Sequence, residues 1–345
     1  MNITVLCGGL SGERDVSLTS GLMCAKALSK KGHEVFLLDV FMGTDFPPEK
    51  AFAERQDFSD VTSSIAADAP DLEEVKRLRG ESPDGFFGKN VIDICKKSDI
   101  VFMALHGCNG EDGKIQATFD LLGIPYTGSD YLGSANAMNK GITRRLLIAD
   151  GINMANGAHY TKNDYETGKT NEWSSFPCIV KPCCGGSSIG VSKAENKEEF
   201  EKALKNCFKY EDEAIVEEFI SGREFSIGVI EGKALPVIEI IADGFYDYKN
   251  KYSGKTREVC PAEIDEETNK KLQAAAEKAF ASLKLNIYAR IDFILNSKNN
   301  EPYCLEANTL PGMTPASLLP QEARAVGIEY PDLCELIVNK SLARF

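Results

Sequence analysis

Hard oxygen donors recur on two apolar runs near the C-terminus. Arg290-Ile291-Asp292-Phe293 alternates polar with apolar, and so does Leu305-Glu306-Ala307-Asn308. In a strand, alternation puts Arg290 and Asp292 on one face, and Glu306 and Asn308 likewise. If the strands adjoin, Asp292, Glu306 and Asn308 converge. Three oxygen donors suit Mg²⁺, with nucleotide phosphates completing an octahedron. An exposed polar sheet face is the weaker reading, because Phe293 and Leu305 mark buried strands.

A second stretch, Cys184-Gly185-Gly186-Ser187-Ser188-Ile189-Gly190, follows the strand-like Ile179-Val180-Lys181-Pro182. Backbone N–H groups of such a loop can face phosphate oxygens. It matches neither GxxxxGK[ST] nor GxGxxG, and alone it could be a plain turn. Lys181 favours an anion, since a lysine on an apolar strand is costly to bury unpaired. Lys140 is a second candidate, though in isolation it reads more readily as a solvated helix residue.

Three further stretches are less decided. Val216-Glu217-Glu218-Phe219-Ile220, then Ser221 to Phe225, could hold an adenine edge and a ribose. Alone, it reads better as a solvated acidic strand end. The turn from Gly8 to Ser17 opens a helix, where anions are favoured. There Glu13 could instead hold an ammonium group, or Ser11, Glu13 or Asp15 could cap the helix. His106, within Ala104 to Gly113, follows a buried strand, where open α/β sheets bind ligands.

These residues need elements to hold them. Residues 3–6, 34–40 and 99–105 read as buried strands, with helices at 15–30 and 113–122. Residues 41–90, with four prolines and much charge, read as a peripheral elaboration that contains a short polar helix at 70–79. A helix at 133–149 carries Lys140, Arg144 and Arg145. Then come a strand at 177–182, a short strand near Val191, a helix at 196–209 and a strand at 214–220. Strands at 223–231 and 234–241 precede a long helix at 265–284. Strands at 287–296 and 302–307 follow, then helices near 315–326 and 330–343.

Composition narrows the class. With 345 residues, 43% apolar and 26% charged, the chain is long enough for two or three globular domains. A net charge of −13 argues against nucleic acid as a partner. No apolar run reaches the ~18 residues of a membrane span, and MNITVLCGG lacks the pattern of a signal peptide. Eleven cysteines, an odd number with no CxxC pair, predict a reduced cytoplasmic protein.

Together and in this order, GGLSGERDVSLTSG, ALHGCNGEDG, IVKPCCGGSSIG, GFYDYKNKY and LEANTLPGMTPASL resemble the D-alanine–D-alanine ligases of the ATP-grasp superfamily, from Ile3 to Glu335. The resemblance implies an α/β, three-domain ATP-grasp fold with an N-terminal open α/β (preATP-grasp, Rossmann-like) domain. Its expected parts are an N-terminal substrate domain at 1–128, a small central domain at 129–216 and a C-terminal domain at 217–345 with metal and acceptor sites.

It also implies a reaction. ATP phosphorylates the carboxylate of one D-alanine; the amine of a second attacks the acylphosphate; a tetrahedral intermediate collapses to D-alanyl-D-alanine and phosphate. The product would serve peptidoglycan synthesis, and hence cell-wall biogenesis and cell shape. Two Mg²⁺ (or Mn²⁺) ions at Asp292, Glu306 and Asn308, and a homodimer, are part of the expectation.

The resemblance assigns roles residue by residue. Lys140, Lys181 and Lys251 would serve ATP, under a loop that includes Gly186, Ser187 and Ser188. Glu217, Phe219 and Ile220 would receive adenine, and Glu224 the ribose. Glu13 would bind the first D-alanine's ammonium near His106, in a hydrogen-bonded set with Ser187 and Tyr252. Arg290 and the Gly312 amide would hold the oxyanion. Ser317 would meet the second D-alanine's carboxylate, and Leu318 its methyl. Residues from Tyr246 to Lys251 would form a lid that excludes water.

Two departures stand out. Gly185 replaces an acidic residue found in many relatives, and Cys108 replaces a basic one. D-alanine–D-serine and D-alanine–D-lactate ligation are the alternatives, with the YDYKNKY segment favouring the dipeptide. A silent ATP sensor would have lost a ligand or oxyanion group, and none is missing. A dinucleotide oxidoreductase would need a third glycine in GGLSGE.

Overall fold

The protein, seen in a computed structural model, is described over residues 1–53, 56–58, 60–62, 70–81, 85–186, 190–241 and 256–345. The N-terminal third begins with β1 (Asn2–Cys7), α1 (Arg14–Lys30) and β2 (Glu34–Asp39). It continues with α2 (Leu72–Arg79), α3 (Val91–Cys95), β3 (Ile100–Met103) and α4 (Lys114–Leu122). The strands form a parallel sheet in the order β2-β1-β3. Ile3, Val5, Leu6, Ile100, Val101 and Phe102 are fully buried, as covered parallel strands require. The described part of 41–90 packs on this core through Phe41, Ala51 and Phe58.

Two helices follow where the sequence predicts one. α5 (Tyr131–Met138) and α6 (Lys140–Ala149) part at Asn139, which adopts an extended ψ of 99° and accepts the Ile142 N–H at 2.9 Å. The asparagine side chain caps α6, so the periodic pattern breaks at a residue that prefers caps to helix interiors. Lys140 thereby sits in the first turn of α6.

The central sheet contains β4 (Gly157–Thr161), β5 (Cys178–Pro182), β6 (Ser192–Ala194) and β7 (Glu213–Glu218), in the order β4-β7-β5-β6. The short α7 (Lys162–Glu166) and α8 (Lys197–Cys207) accompany it. β4 escapes the sequence reading. Its GAHYT has little apolar alternation, and it exists because it pairs antiparallel with β7.

The C-terminal sheet contains β8 (Gly222–Ile230), β9 (Lys233–Ala234), β10 (Ile238–Ile241), β11 (Arg257–Val259), β12 (Tyr288–Asn296) and β13 (Pro302–Asn308). The order is β11-β10-β8-β12-β13, with β9 also on β8. The strand expected at 234–241 is two pieces, parted around Pro236, which offers no ladder donor. α9 (Glu266–Ser282), α10 (Leu318–Ala325) and α11 (Tyr330–Leu342) complete the chain.

Period-two alternation gives the C-terminal sheet two unlike faces. Phe225, Ile227, Val229, Ala289, Ile291 and Phe293 join Leu272, Ala276, Ala279 and Phe280 of α9 in one apolar core. Each fully buried large side chain there contributes about 1.5–3 kcal/mol. The opposite face presents Ser226, Gly228, Arg290 and Asp292.

Candidate active site

β12 and β13 pair antiparallel, with Arg290 opposite Asn308 and Asp292 opposite Glu306. The three oxygen ligands expected from the sequence therefore share one face. The register shifts just after Asp292, which leaves Leu305 without a partner residue. Such a bulge re-aims side chains, and Leu305 lines a cavity rather than the α9 core.

Asp292 is the hub of that face. Its Oδ1 accepts from Ser226 Oγ at 2.6 Å and from Arg290 Nε at 3.0 Å. Its Oδ2 accepts from Arg290 at 2.9 Å and from Asn308 Nδ2 at 3.0 Å. Buried carboxylates need such partners. Ser226 was not anticipated; its signal was its place on the adjoining strand, directly opposite Asp292.

Two cavities meet at this face. One, about 530 Å³, is lined by Lys181, Glu217, Phe219, Ile220, Glu224 and Ile294 among others. The other, about 380 Å³, is lined by Glu13, His106, Arg290, Gly312, Ser317 and Leu318 among others. Lys140, Gly185, Gly186, Asp292 and Glu306 line both. No described residue of 41–90 lines either.

Lys140 stands in the shared wall, and Lys181 in the larger of the two cavities. Lys140 Nζ lies 2.6 Å from the Gly185 carbonyl and 3.8 Å from Glu306. Lys181 Nζ lies 2.6 Å from Glu217 Oε2, and Arg144 reaches Glu217 Oε1 at 3.2 Å. Glu217, expected at an adenine edge, is thus buried between two cations. Arg144 was placed on its helix by the sequence, with no sign of this partner.

The turn after β1 aims Glu13. Gly8 has φ +73°, and a Cβ there would sit 2.4 Å from the Asp39 carboxylate. Asp39 pairs with Arg14, which also donates to the Gly9 carbonyl at 2.6 Å. Ser11 Oγ accepts the Glu13 N–H at 3.2 Å and donates to the His106 carbonyl at 2.8 Å. The Glu13 side chain does not cap α1. Its carboxylate faces Gly107 and Gly186: a Cβ on either would come within 2.8 Å or 2.7 Å of Oε2.

His106 is buried, and both ring nitrogens are engaged. Nδ1 lies 2.8 Å from the Leu310 carbonyl, an acceptor only, so Nδ1 carries the proton. Nε2 then accepts from Ser20 Oγ at 3.0 Å. Burial lowers its pKa and keeps the ring neutral. The ring therefore holds the loop that leads to Gly312.

Glu111 grips the same loop from the other side. Its oxygens accept the Gly107 N–H and the Leu310 N–H, each at 2.8 Å. Burial first, then the Glu13 charge, raises its pKa to about 7. Within ALHGCNGEDG, residue type and spacing alone assign Glu111 no role.

Ser317 Oγ lies 2.8 Å from Thr314 Oγ1 and accepts the Thr314 N–H at 3.1 Å. Leu318 is buried with Ile238 and Ile240. Ser187, Ser188, Lys251, Tyr252 and the segment from Tyr246 to Lys251 lie outside the described residues.

Three α/β units, one to each sheet, surround the paired cavities in an arrangement of ATP-grasp type. Over the whole chain the structure resembles the D-alanine–D-alanine ligase of Bacillus anthracis complexed with ATP, with a TM-score of 0.74, 31% identity, and 100% and 98% of the two chains covered. The VanG D-Ala:D-Ser ligase of Enterococcus faecalis superposes with a TM-score of 0.76 at 28% identity, covering 99% of each chain.

Sequence comparison sharpens the class. Residues 2–129 match the family described as D-ala D-ala ligase N-terminus, and residues 146–339 match D-ala D-ala ligase C-terminus. The D-alanine–D-alanine ligase of Pediococcus pentosaceus is 42% identical over 344 residues, 98% of this chain and 97% of that protein. That of Lacticaseibacillus casei is 42% identical over 349 residues, 99% and 96% of the two. The chain belongs to the D-alanine–D-alanine ligase family.

Proposed function

We propose that the chain joins two D-alanines into D-alanyl-D-alanine at the expense of ATP, through a D-alanyl phosphate. The observation that carries this reading is the wall common to both cavities. A nucleotide in the larger cavity and an amino acid in the smaller would meet at Lys140, Gly185, Gly186, Asp292 and Glu306. Proximity of that kind turns a bimolecular encounter into an oriented transfer.

In this reading Lys140 and Lys181 neutralise the nucleotide phosphates, with Glu217 and Arg144 fixing Lys181. Phe219 and Ile220 bound the base, and Glu224 meets the ribose. Glu13 holds the first D-alanine's ammonium. The carboxylate oxygen of that first D-alanine attacks the γ-phosphorus, and ADP leaves. The second amine then attacks the acyl carbon, loses a proton and displaces phosphate. Arg290 and the Gly312 amide take the oxyanion that develops. Ser317 and Leu318 receive the second D-alanine.

Asp292, Glu306 and Asn308 would hold Mg²⁺ or Mn²⁺. The all-oxygen donor set fits, since Mg²⁺ is held by one or two carboxylates plus phosphates. Such ions neutralise phosphate charge when bound. Two ions per site, a cytoplasmic homodimer, and a supply role in peptidoglycan synthesis complete the proposal. So does a division into domains at 1–128, 129–216 and 217–345, with the last boundary moved past Glu218, because β7 belongs to the central sheet to its end.

The test is phosphate release from Mg-ATP with D-alanine, L-alanine, D-alanine plus D-serine, or D-alanine plus D-lactate, with products weighed by mass spectrometry. D-alanine alone is expected to release phosphate and give the dipeptide. Release only with a second acceptor would reassign the acceptor, and no release with any pair would overturn the reading.

A further inference from the structure

The central sheet carries a donor cluster that the ligation reading leaves unused. Lys181 lies opposite Ile215, and so does His159. Alternation therefore sets Glu213, Ile215 and Glu217 on the same face as Lys181 and His159. Cys183, two residues past Lys181, continues that row, and its N–H bonds the Glu213 carbonyl at 3.2 Å. At the end of the sheet away from the Lys181–Glu217 pair, His159, Cys183 and Glu213 come together. One ligand atom from each lies within 4.8 Å of the other two.

We propose that His159, Cys183 and Glu213 form a binding site for a thiophilic divalent cation of the Zn²⁺ class, at the root of the glycine-rich loop.

The donor chemistry selects the ion. Imidazole nitrogen, thiolate sulfur and carboxylate oxygen together suit Zn²⁺, whereas Mg²⁺ takes oxygen ligands. A neutral imidazole, a thiolate and a carboxylate carry two negative charges, which a divalent ion balances. Three protein ligands leave a fourth tetrahedral position for water, and His159 and Glu213 are partly exposed, so an entry path exists. Binding releases the Cys183 proton.

The surroundings prepare these donors. His159 Nε2 lies 3.1 Å from Glu213 Oε2, so the imidazole and carboxylate are already juxtaposed. Cys183 Sγ lies 3.2 Å from Asn139 Oδ1, the cap of α6. Arg145 lies 3.3 Å from His159 Nδ1 and would turn outward. Coordination would tie β4, β7 and the end of β5 together. Cys183 also accepts the Lys140 N–H at 2.9 Å, so the tie reaches the residue that anchors Gly185.

Co²⁺ titration of the full chain in excess Mg²⁺ tests the site, because only a thiolate ligand gives sulfur-to-cobalt charge-transfer absorption. One equivalent is expected to develop the band, and Zn²⁺ to displace it. Cys183→Ser should abolish it, His159→Ala should weaken Co²⁺ affinity at least about tenfold, and Cys184→Ser should retain it. One equivalent of Zn²⁺ should also raise Tm in the wild type and not in His159→Ala. Should Cys183→Ser fail to fold, the partly exposed His159→Ala carries the comparison. No thiolate band, a band surviving Cys183→Ser, or equal affinity in His159→Ala would overturn the proposal and leave a hydrogen-bonded cluster.

Discussion

Lys181 Nζ and Glu217 Oε2 stand 2.6 Å apart on neighbouring strands, both side chains about nine-tenths buried. Arg144 closes the set from α6 at 3.2 Å. One carboxylate thus serves two cations, of which Lys181 lines the cavity proposed for nucleotide phosphates. Burying a cation on a strand is tolerable only with such a partner.

That relationship predicts an asymmetry between two variants. Glu217→Gln leaves two buried cations uncompensated and is expected to cost about 3–5 kcal/mol of stability. Arg144→Ala leaves the Lys181–Glu217 pair intact and should cost clearly less. Urea unfolding of both variants decides it; equal losses would mean that Lys181 alone does not hold Glu217.

Arg290 lies against Asp292 and lines the smaller cavity. If its guanidinium takes the oxyanion, Arg290→Ala should lower kcat by about 10²–10³-fold. ATP affinity should change only a few-fold, because the larger cavity is not lined by Arg290. Turnover near wild type would remove Arg290 from the chemistry, and calorimetric titration with a non-hydrolysable ATP analogue checks the second half.

Glu111 makes stability depend on pH. Its folded pKa, about 7, is raised above the ordinary 4.5. The folded state therefore binds the proton more tightly than the unfolded state. Stability from this group is greatest below pH 4.5 and declines as pH rises to about 7, by an order-of-magnitude 3 kcal/mol. The Tm of the wild type minus that of Glu111→Gln should accordingly fall between pH 5 and pH 7.5. A difference flat across that window would show that Glu111 titrates normally.

At Gly8 the backbone is left-handed and the Asp39 carboxylate occupies the space of a Cβ. Gly8→Ala combines the strain of that φ with a clash against the Arg14–Asp39 pair. A loss of about 2 kcal/mol or more is expected. Gly32→Ala, with φ +90° but nothing within 4 Å of a Cβ, is the control for strain alone. Equal losses would show that the Asp39 contact adds nothing.

Much of the site could be read from residue order. Alternation in RIDF and LEAN determined that Arg290 shares a face with Asp292, and Glu306 with Asn308, because a strand offers side chains only two directions. The apolar runs at 3–6 and 99–105 determined two buried parallel strands. The joint occurrence of five ordered motifs determined the family. Each of these signals is local, or is a list of local signals.

What remained was decided by pairing at a distance. Asn139 breaks a helix that the periodic pattern continues, because its side chain caps the next one. β4 forms on β7 although its own sequence argues weakly for a strand. Glu217 finds Arg144 from a helix some seventy residues earlier, and Glu111, in the loop after β3, reaches Leu310 in the loop after β13. His159 and Cys183 meet Glu213 only because β4 and β5 flank β7. Sequence sets which groups a chain can offer and which way a strand or helix turns them. Which groups from distant segments neutralise one another follows from strand order and helix docking, and those are fixed by burial summed over the whole chain.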